Sequence, residues 1–315
     1  MRAHRADRMP HALLITGPAG IGKGVFARAL AEALLCVAAT DEGVACGGCP
    51  ECRLLAAGNH PDGLWVGPDP DAKSPEIRVD VIRDLIDREG LTSHRGRYKI
   101  VVIQPAHQLN RAAANSLLKT LEEPSASTLM LLVSEAPGRL AATVRSRCQR
   151  ILLPLPHEDL GRKWLAGRAK GADARLLLRL AHGAPFGALA LLEDGLLERR
   201  DALFEGFVEV LNGVRDPIAE AEAWNISDAR LSCEWLAGWI SDILRLAAAP
   251  DPRHLAHPDK AESLAELVPR IDLRSAHRYL QDVYRAGALA GTTVNKLLLL
   301  ESLLIGLANL RRPRC

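Results

Sequence analysis

Aromatic side chains are scarce in this chain of 315 residues, at 4% of positions. Hydrophobic residues still make up 48%. The core must therefore be mostly Leu, Ala and Val, a mix that favours helix-rich architecture. That content suffices for a sizeable core and excludes disorder as the main state. An excess of one charge is also missing, since 40 Lys and Arg face 38 Asp and Glu for a formal net charge of +2. Such balance gives no electrostatic case for strong nucleic-acid binding by the chain alone. No apolar run reaches the ~18 residues of a membrane span. Arg2, Arg5 and Arg8 are not followed by an apolar stretch of signal-peptide length. The expectation is a soluble, cytoplasmic protein. No internal repeat or low-complexity tract is evident, and the length allows two or three domains.

Cysteine is present in an odd number, seven, which with no export signal argues against a disulfide framework. Four of the seven, Cys36, Cys46, Cys49 and Cys52, form the spacing Cys-x9-Cys-x2-Cys-x2-Cys. Two overlapping Cys-x2-Cys turns with glycines let thiolates converge, and a fourth closes a tetrahedron around Zn²⁺ at Zn–S distances of about 2.3 Å. A four-thiolate site leaves no open position for water. It is expected to be structural, a zinc module over residues 36–52.

The chain is organised around Leu13 to Lys23. Leu13 to Ile15 reads as a buried strand. Gly17, Gly20 and Gly22 permit turns that aim backbone N–H groups at a phosphate, and Lys23 adds a positive point charge. Val25 to Leu35 reads as the helix whose N-terminus completes the anion site. The pattern is a P-loop, Gly17-x4-Gly22-Lys23. It lacks the Ser or Thr hydroxyl that should follow the lysine and ligate Mg²⁺, because Gly24 stands there.

A second absence concerns the same chemistry. The β-branched run Tyr98 to Ile103 reads as a second buried strand. Active P-loop ATPases carry acidic residues at its end to bind Mg²⁺ and orient water. Here Gln104-Pro105-Ala106-His107 follows. His107 is expected to pack or to face solvent at the start of the next helix. Val79 to Glu89 has helical spacing, and Arg111 to Glu123 is a helix stopped by Pro124. Thr128 to Ser134 reads as a third strand, with Ser134 either a sensor of a γ-phosphate or a plain turn residue. Arg145, Arg147 and Arg150 cluster around Ser146-Arg147-Cys148, and Ile151 to Leu153 reads as the last strand. Alternating strands and helices over residues 1–153 indicate a doubly wound α/β domain. Beyond Pro154 and Pro156 the pattern is helical, punctuated at Pro217, Pro250, Pro252, Pro258 and Pro269. Trp224, Trp235 and Trp239 are expected in the core. The apolar helix near Val294 to Leu310 is expected in its own core or in a subunit contact.

Three segments together carry a family resemblance: the P-loop followed by the four-cysteine insertion, Asn115-Ser-Leu-Leu-Lys-Thr-Leu-Glu-Glu-Pro124, and Ser146-Arg147-Cys148. The chain resembles the delta-prime subunits of bacterial DNA polymerase III clamp loaders, in the AAA+ superfamily. The motor subunits of that loader share all three segments, and the decayed site at Gly24, Gln104 and Pro105 distinguishes the delta-prime type. The resemblance implies an AAA+ P-loop domain over 1–153, a helical lid over 154–197 and a helical collar over 198–315. It implies weak or no nucleotide binding at Gly17, Gly20, Gly22 and Lys23, with no ATP/Mg²⁺ hydrolysis in cis. It further implies a hetero-pentameric ring with motor (gamma/tau) and delta subunits, which places the sliding clamp on primed DNA for a DNA-directed DNA polymerase, a nucleotidyltransferase. Arg147 would act in trans as an arginine finger. Two other readings are an active motor ATPase, which needs the missing Mg²⁺ ligands, and a zinc-dependent nucleic-acid-binding protein, which the near-neutral charge opposes.

Overall fold

The computed structural model describes residues 9–312 apart from 70, 71, 73, 90–97, 125, 126, 170, 194, 226, 227, 250–254 and 293. Arg2, Arg5, Arg8, Pro250, Pro252 and Cys315 lie outside the described residues. The chain divides into two compact units, Met1–Pro156 and His157–Cys315.

The first unit holds a five-stranded parallel sheet in the order β2-β3-β4-β1-β5. The strands are β1 (Ala12–Thr16), β2 (Gly63–Val66), β3 (Lys99–Ile103), β4 (Thr128–Ser134) and β5 (Gln149–Leu152). The central strands β1, β3 and β4 are buried at every residue, as expected where helices cover both faces of a parallel sheet. Their side chains alternate between the two faces. Leu14, Val101, Ile103, Met130 and Leu132 pack against α3 (Val79–Glu89) and α4 (Arg111–Glu122). Leu13, Ile15, Ile100, Val102, Leu129 and Leu131 pack against α1 (Lys23–Leu35) and α2 (Pro50–Ala56). The result is a three-layer α/β sandwich in which the glycine-rich loop runs from β1 to α1.

Two elements differ from the sequence reading. The stretch at Leu64-Trp65-Val66 is the partly buried edge strand β2, so the buried strand read at Tyr98 to Ile103, which starts at Lys99, is third in chain order. Trp65 is partly exposed there, and four residues are too few to show a period of two. His107 lies not at the start of α4 but in a 3-10 turn, Ala106–Gln108, where it is buried. The helix starts at Arg111 because Asn110 caps it, its side chain accepting from the Ala113 amide at 2.8 Å.

The second unit is helical. Helices α6 (Glu158–Ala166), α7 (Ala174–Leu180) and α8 (Pro185–Ala190) share one apolar cluster, with Leu165, Leu177 and Leu178 at its centre. They follow α5 (Ala142–Arg145), the short helix of the first unit. A larger cluster joins α9 (Leu196–Asn212), α10 (Pro217–Asn225), α11 (Ala229–Ala248), α12 (Ala261–Leu267), α13 (Leu273–Ala290) and α14 (Lys296–Ala308). Trp224, Trp235 and Trp239 are all buried in it. Trp239 lies 5.2 Å from both Phe204 and Phe207 and 6.2 Å from Trp224, within the range of favourable ring contacts. Four of the chain's twelve aromatic residues thus meet at one centre. The apolar α14 buries Leu300, Leu303, Leu304 and Leu307 against this cluster and leaves Leu298 and Ile305 exposed. Among the described residues no helix is long and apolar enough to cross a membrane.

Candidate functional sites

The P-loop leaves β1 at Thr16 and reaches α1 at Lys23. Gly17, Gly20 and Gly22 have φ of 152°, 69° and 90°, conformations that a side chain resists. At Gly17 a Cβ would also lie 2.3 Å from the Leu153 carbonyl oxygen. These glycines therefore shape a loop with its amides at a helix N-terminus. Lys23 is buried, and its Nζ donates to the Pro18 carbonyl at 2.5 Å. Burial lowers its pKa, while the charge of Glu135, just past β4, pushes the other way. The lysine is therefore tied to its own loop.

The two absences read from the sequence meet in space. A Cβ on Gly24 would lie 2.5 Å from both Nε2 and Oε1 of Gln104 and 2.9 Å from its Cδ. The Gln104 amide thus fills the place where the first side-chain atoms of a Ser or Thr would sit. Gln104 follows β3 directly and its N–H donates to the Val66 carbonyl at 2.9 Å. A neutral amide replaces both the hydroxyl and the carboxylate that would hold Mg²⁺. Ser134, at the end of β4, is buried, and its hydroxyl lies 3.3 Å from Nδ1 of His107. That hydroxyl already has an internal partner.

Cys36, Cys46, Cys49 and Cys52 bring their sulfurs within 4.8 Å of one another. The Cys36–Cys49 and Cys46–Cys52 distances are 3.9 and 4.0 Å. A tetrahedron with metal–sulfur bonds of about 2.3 Å has edges of about 3.8 Å, so the four thiols fit a tetrahedral, thiophilic ion. Pro50 opens α2, and the Cys52 amide donates to the Cys49 sulfur at 3.4 Å. The Ala38 and Cys46 amides donate to Cys36. Backbone N–H groups, that of Cys52 foremost, bring the Cys49 thiol down to about 6. Burial, with the neighbouring thiols, pushes Cys52 up to about 12. Binding a thiophilic ion requires all four to lose their protons, so metal affinity rises with pH.

Arg147 follows α5 and is half-buried. Its Nη2 lies 2.5 Å from a carboxylate oxygen of Glu122, the last residue of α4, and its Nη1 donates to the Thr143 carbonyl at 2.9 Å. Arg145 donates to the Pro137 carbonyl, and Arg150 to the Thr16 hydroxyl. The three arginines thus face three different partners. Sequence reasoning did not find Glu122, Glu135 or the contact between Gln104 and Gly24. Nothing in residue spacing signals them: Glu135 comes from the end of β4, the neighbour of β1, Gln104 from the end of β3, two strands from β1, and Glu122 from the packing of α4 beside α5, all distant in the chain from the residues they meet.

The family described as "DNA polymerase III, delta subunit" matches residues 1–157, and its C-terminal counterpart matches residues 194–309. DNA polymerase III subunit delta' of Pseudomonas aeruginosa is 37% identical, over 96% of this chain and 93% of that protein. The chain belongs to the delta' family. The delta' subunit of Escherichia coli is 32% identical over 99% of this chain and 92% of that protein. DNA polymerase III subunit tau of Escherichia coli is 34% identical over only 60% of this chain and 30% of its own length. The family resemblance thus runs through the helical unit, beyond the P-loop domain.

Proposed function

We propose that this chain is the non-hydrolysing AAA+ subunit of a clamp loader, acting in the cytoplasm beside motor and delta subunits to place a sliding clamp on primed DNA. The observation that carries the reading is the Gln104 amide packed against Gly24, where a Mg²⁺-binding hydroxyl and acid would otherwise stand. Without them neither metal nor water is positioned, and ATP turnover in cis has no basis. Gly17, Gly20, Gly22 and Lys23 then serve as a scaffold that takes nucleotide weakly or not at all. Zn²⁺ held by Cys36, Cys46, Cys49 and Cys52 folds the insertion and supplies no reaction. The helical residues 154–197 and 198–315 are read as lid and collar.

Arg147 is assigned the role of an arginine finger toward a neighbour's nucleotide. A guanidinium neutralises charge growing on the transferred phosphoryl group, and such a group is worth about 10³ to 10⁵ in rate where chemistry limits turnover. The test is ATP hydrolysis by the isolated chain, by the reconstituted ring and by the ring carrying Arg147→Ala. The isolated chain should be inactive, and the mutant ring should assemble yet hydrolyse and load clamps more slowly. A loss of total hydrolysis short of complete is expected, because other motor sites keep their own arginines. Turnover by the isolated chain, or a normal loading rate with the alanine mutant, refutes the reading.

A further inference from the structure

We propose that Glu122 is a positioning residue for Arg147, holding its guanidinium in the orientation in which it meets a neighbouring subunit's nucleotide; this rests on the trans-acting role assigned above. The two residues come from different elements. Glu122 ends α4, which is fixed to the sheet by Ala113, Leu117 and Leu121. Arg147 stands in the turn after α5, whose Val144 is fully buried in the same cluster. The carboxylate takes one terminal nitrogen at 2.5 Å and the Thr143 carbonyl takes the other at 2.9 Å. A planar guanidinium held at both terminal nitrogens cannot rotate freely. Among the described residues its Nε has no partner, so a donor remains for an incoming anion.

The energetic argument is preorganisation. An unrestrained arginine loses most of its rotamer freedom on docking, whereas one already held loses little. The side chains of Glu122 and Arg147 are 49% and 36% exposed. Solvent therefore screens the pair, and the carboxylate orients the guanidinium without cancelling its charge. Were the carboxylate instead a competitor of the phosphate, its removal would speed hydrolysis.

The test uses the ring reconstituted with the chain's own partner subunits, and reads kcat and KM for clamp-stimulated ATP hydrolysis. Glu122→Ala should lower the Arg147-dependent part of kcat about two- to fivefold with KM unchanged, the range expected for an exposed pair. Glu122→Gln keeps an acceptor oxygen and should retain most of the rate. Glu122→Asp keeps the charge but withdraws the oxygen, and should fall with the alanine variant, which also covers the case in which alanine fails to assemble. In an Arg147→Ala ring, Glu122→Ala should change nothing further. A normal or faster rate for both Glu122→Ala and Glu122→Asp overturns the proposal while leaving the role of Arg147 intact. So does an equal loss in the Arg147→Ala background, which would mark a merely structural role. If Arg147→Ala alone is silent, the proposed function falls first and this inference with it.

Discussion

Replacing Gly24 by Ser tests whether the two missing Mg²⁺ ligands are one structural fact. Gly24 sits in the first turn of α1 and is not among the glycines with positive φ. A helical Gly→Ser change should by itself stabilise by about 0.5 kcal/mol. The new Cβ, however, would lie 2.5 Å from the Gln104 amide atoms, closer than side-chain carbons approach. Gln104 must leave its rotamer, at a cost of about 0.5–1.5 kcal/mol. The clash outweighs the propensity, and Gly24→Ser should destabilise α1 by up to about 1 kcal/mol. In a Gln104→Ala background the clash is absent, and the same change should stabilise by about 0.5 kcal/mol. The sign therefore reverses, with a coupling of about 0.5–1.5 kcal/mol. Native-state hydrogen exchange at the α1 amides reads this locally, which avoids treating a two-unit chain as one transition. Neither variant should hydrolyse ATP, since the acid after β3 is still absent. An equal effect of Gly24→Ser in both backgrounds, or Mg²⁺-dependent turnover by the single mutant, refutes the reasoning.

Elemental analysis of metal-replete protein should find one zinc per chain. Cys49→Ala should lose it and loosen residues 36–52, while the sheet, whose core does not depend on those sulfurs, stays folded; a zinc-free wild type would sink the assignment. Arg147→Lys should rescue the reconstituted ring's hydrolysis poorly, because an ammonium lacks the planar fork, and full rescue would reduce Arg147 to a point charge. Gly206→Ala should destabilise the helical unit by about 2–4 kcal/mol, read by denaturant unfolding. Its Cβ would strike Glu220, a buried carboxylate that binds Arg215 and accepts from Trp224 Nε1 at 2.9 Å, so a silent mutant would mean Glu220 is free to move. His182 is raised by its hydrogen bond to Glu234, 3.3 Å away, and Glu234 is lowered by the same contact. A raised His contributes below its unfolded pKa of about 6.5 and is lost as pH rises through the folded value, while the lowered Glu contributes above about 4.3. The pair should therefore help most between those limits. Because both side chains are largely exposed, deleting it with Glu234→Gln should cost no more than about 1 kcal/mol at pH 5.5 and less at pH 8. A larger cost at pH 8 would contradict the sign.

Local signals were enough for the elements whose chemistry is contiguous. Gly17 to Lys23 shows its loop because glycine spacing dictates backbone conformation. Cys46, Cys49 and Cys52 show convergence because a turn of two intervening residues already points their sulfurs together. The strands at Leu13 and Ile100 are legible as apolar runs, and Pro124 marks the end of α4. Strand β2 was not legible, since a four-residue edge strand with an exposed Trp65 carries neither alternation nor a long apolar run. The decay at Gly24 and at Gln104 could be read as two separate losses. Only the parallel sheet, which carries the end of β3 to the start of α1, makes them one packing contact. The same holds for Arg147. Its motif is local, but its partner Glu122 is set by how α4 and α5 pack on one face of the sheet. Sequence determines what a short segment can do by its own covalent geometry. Which distant side chains share a contact is decided when the strands choose their neighbours, because that choice depends on the burial of whole faces.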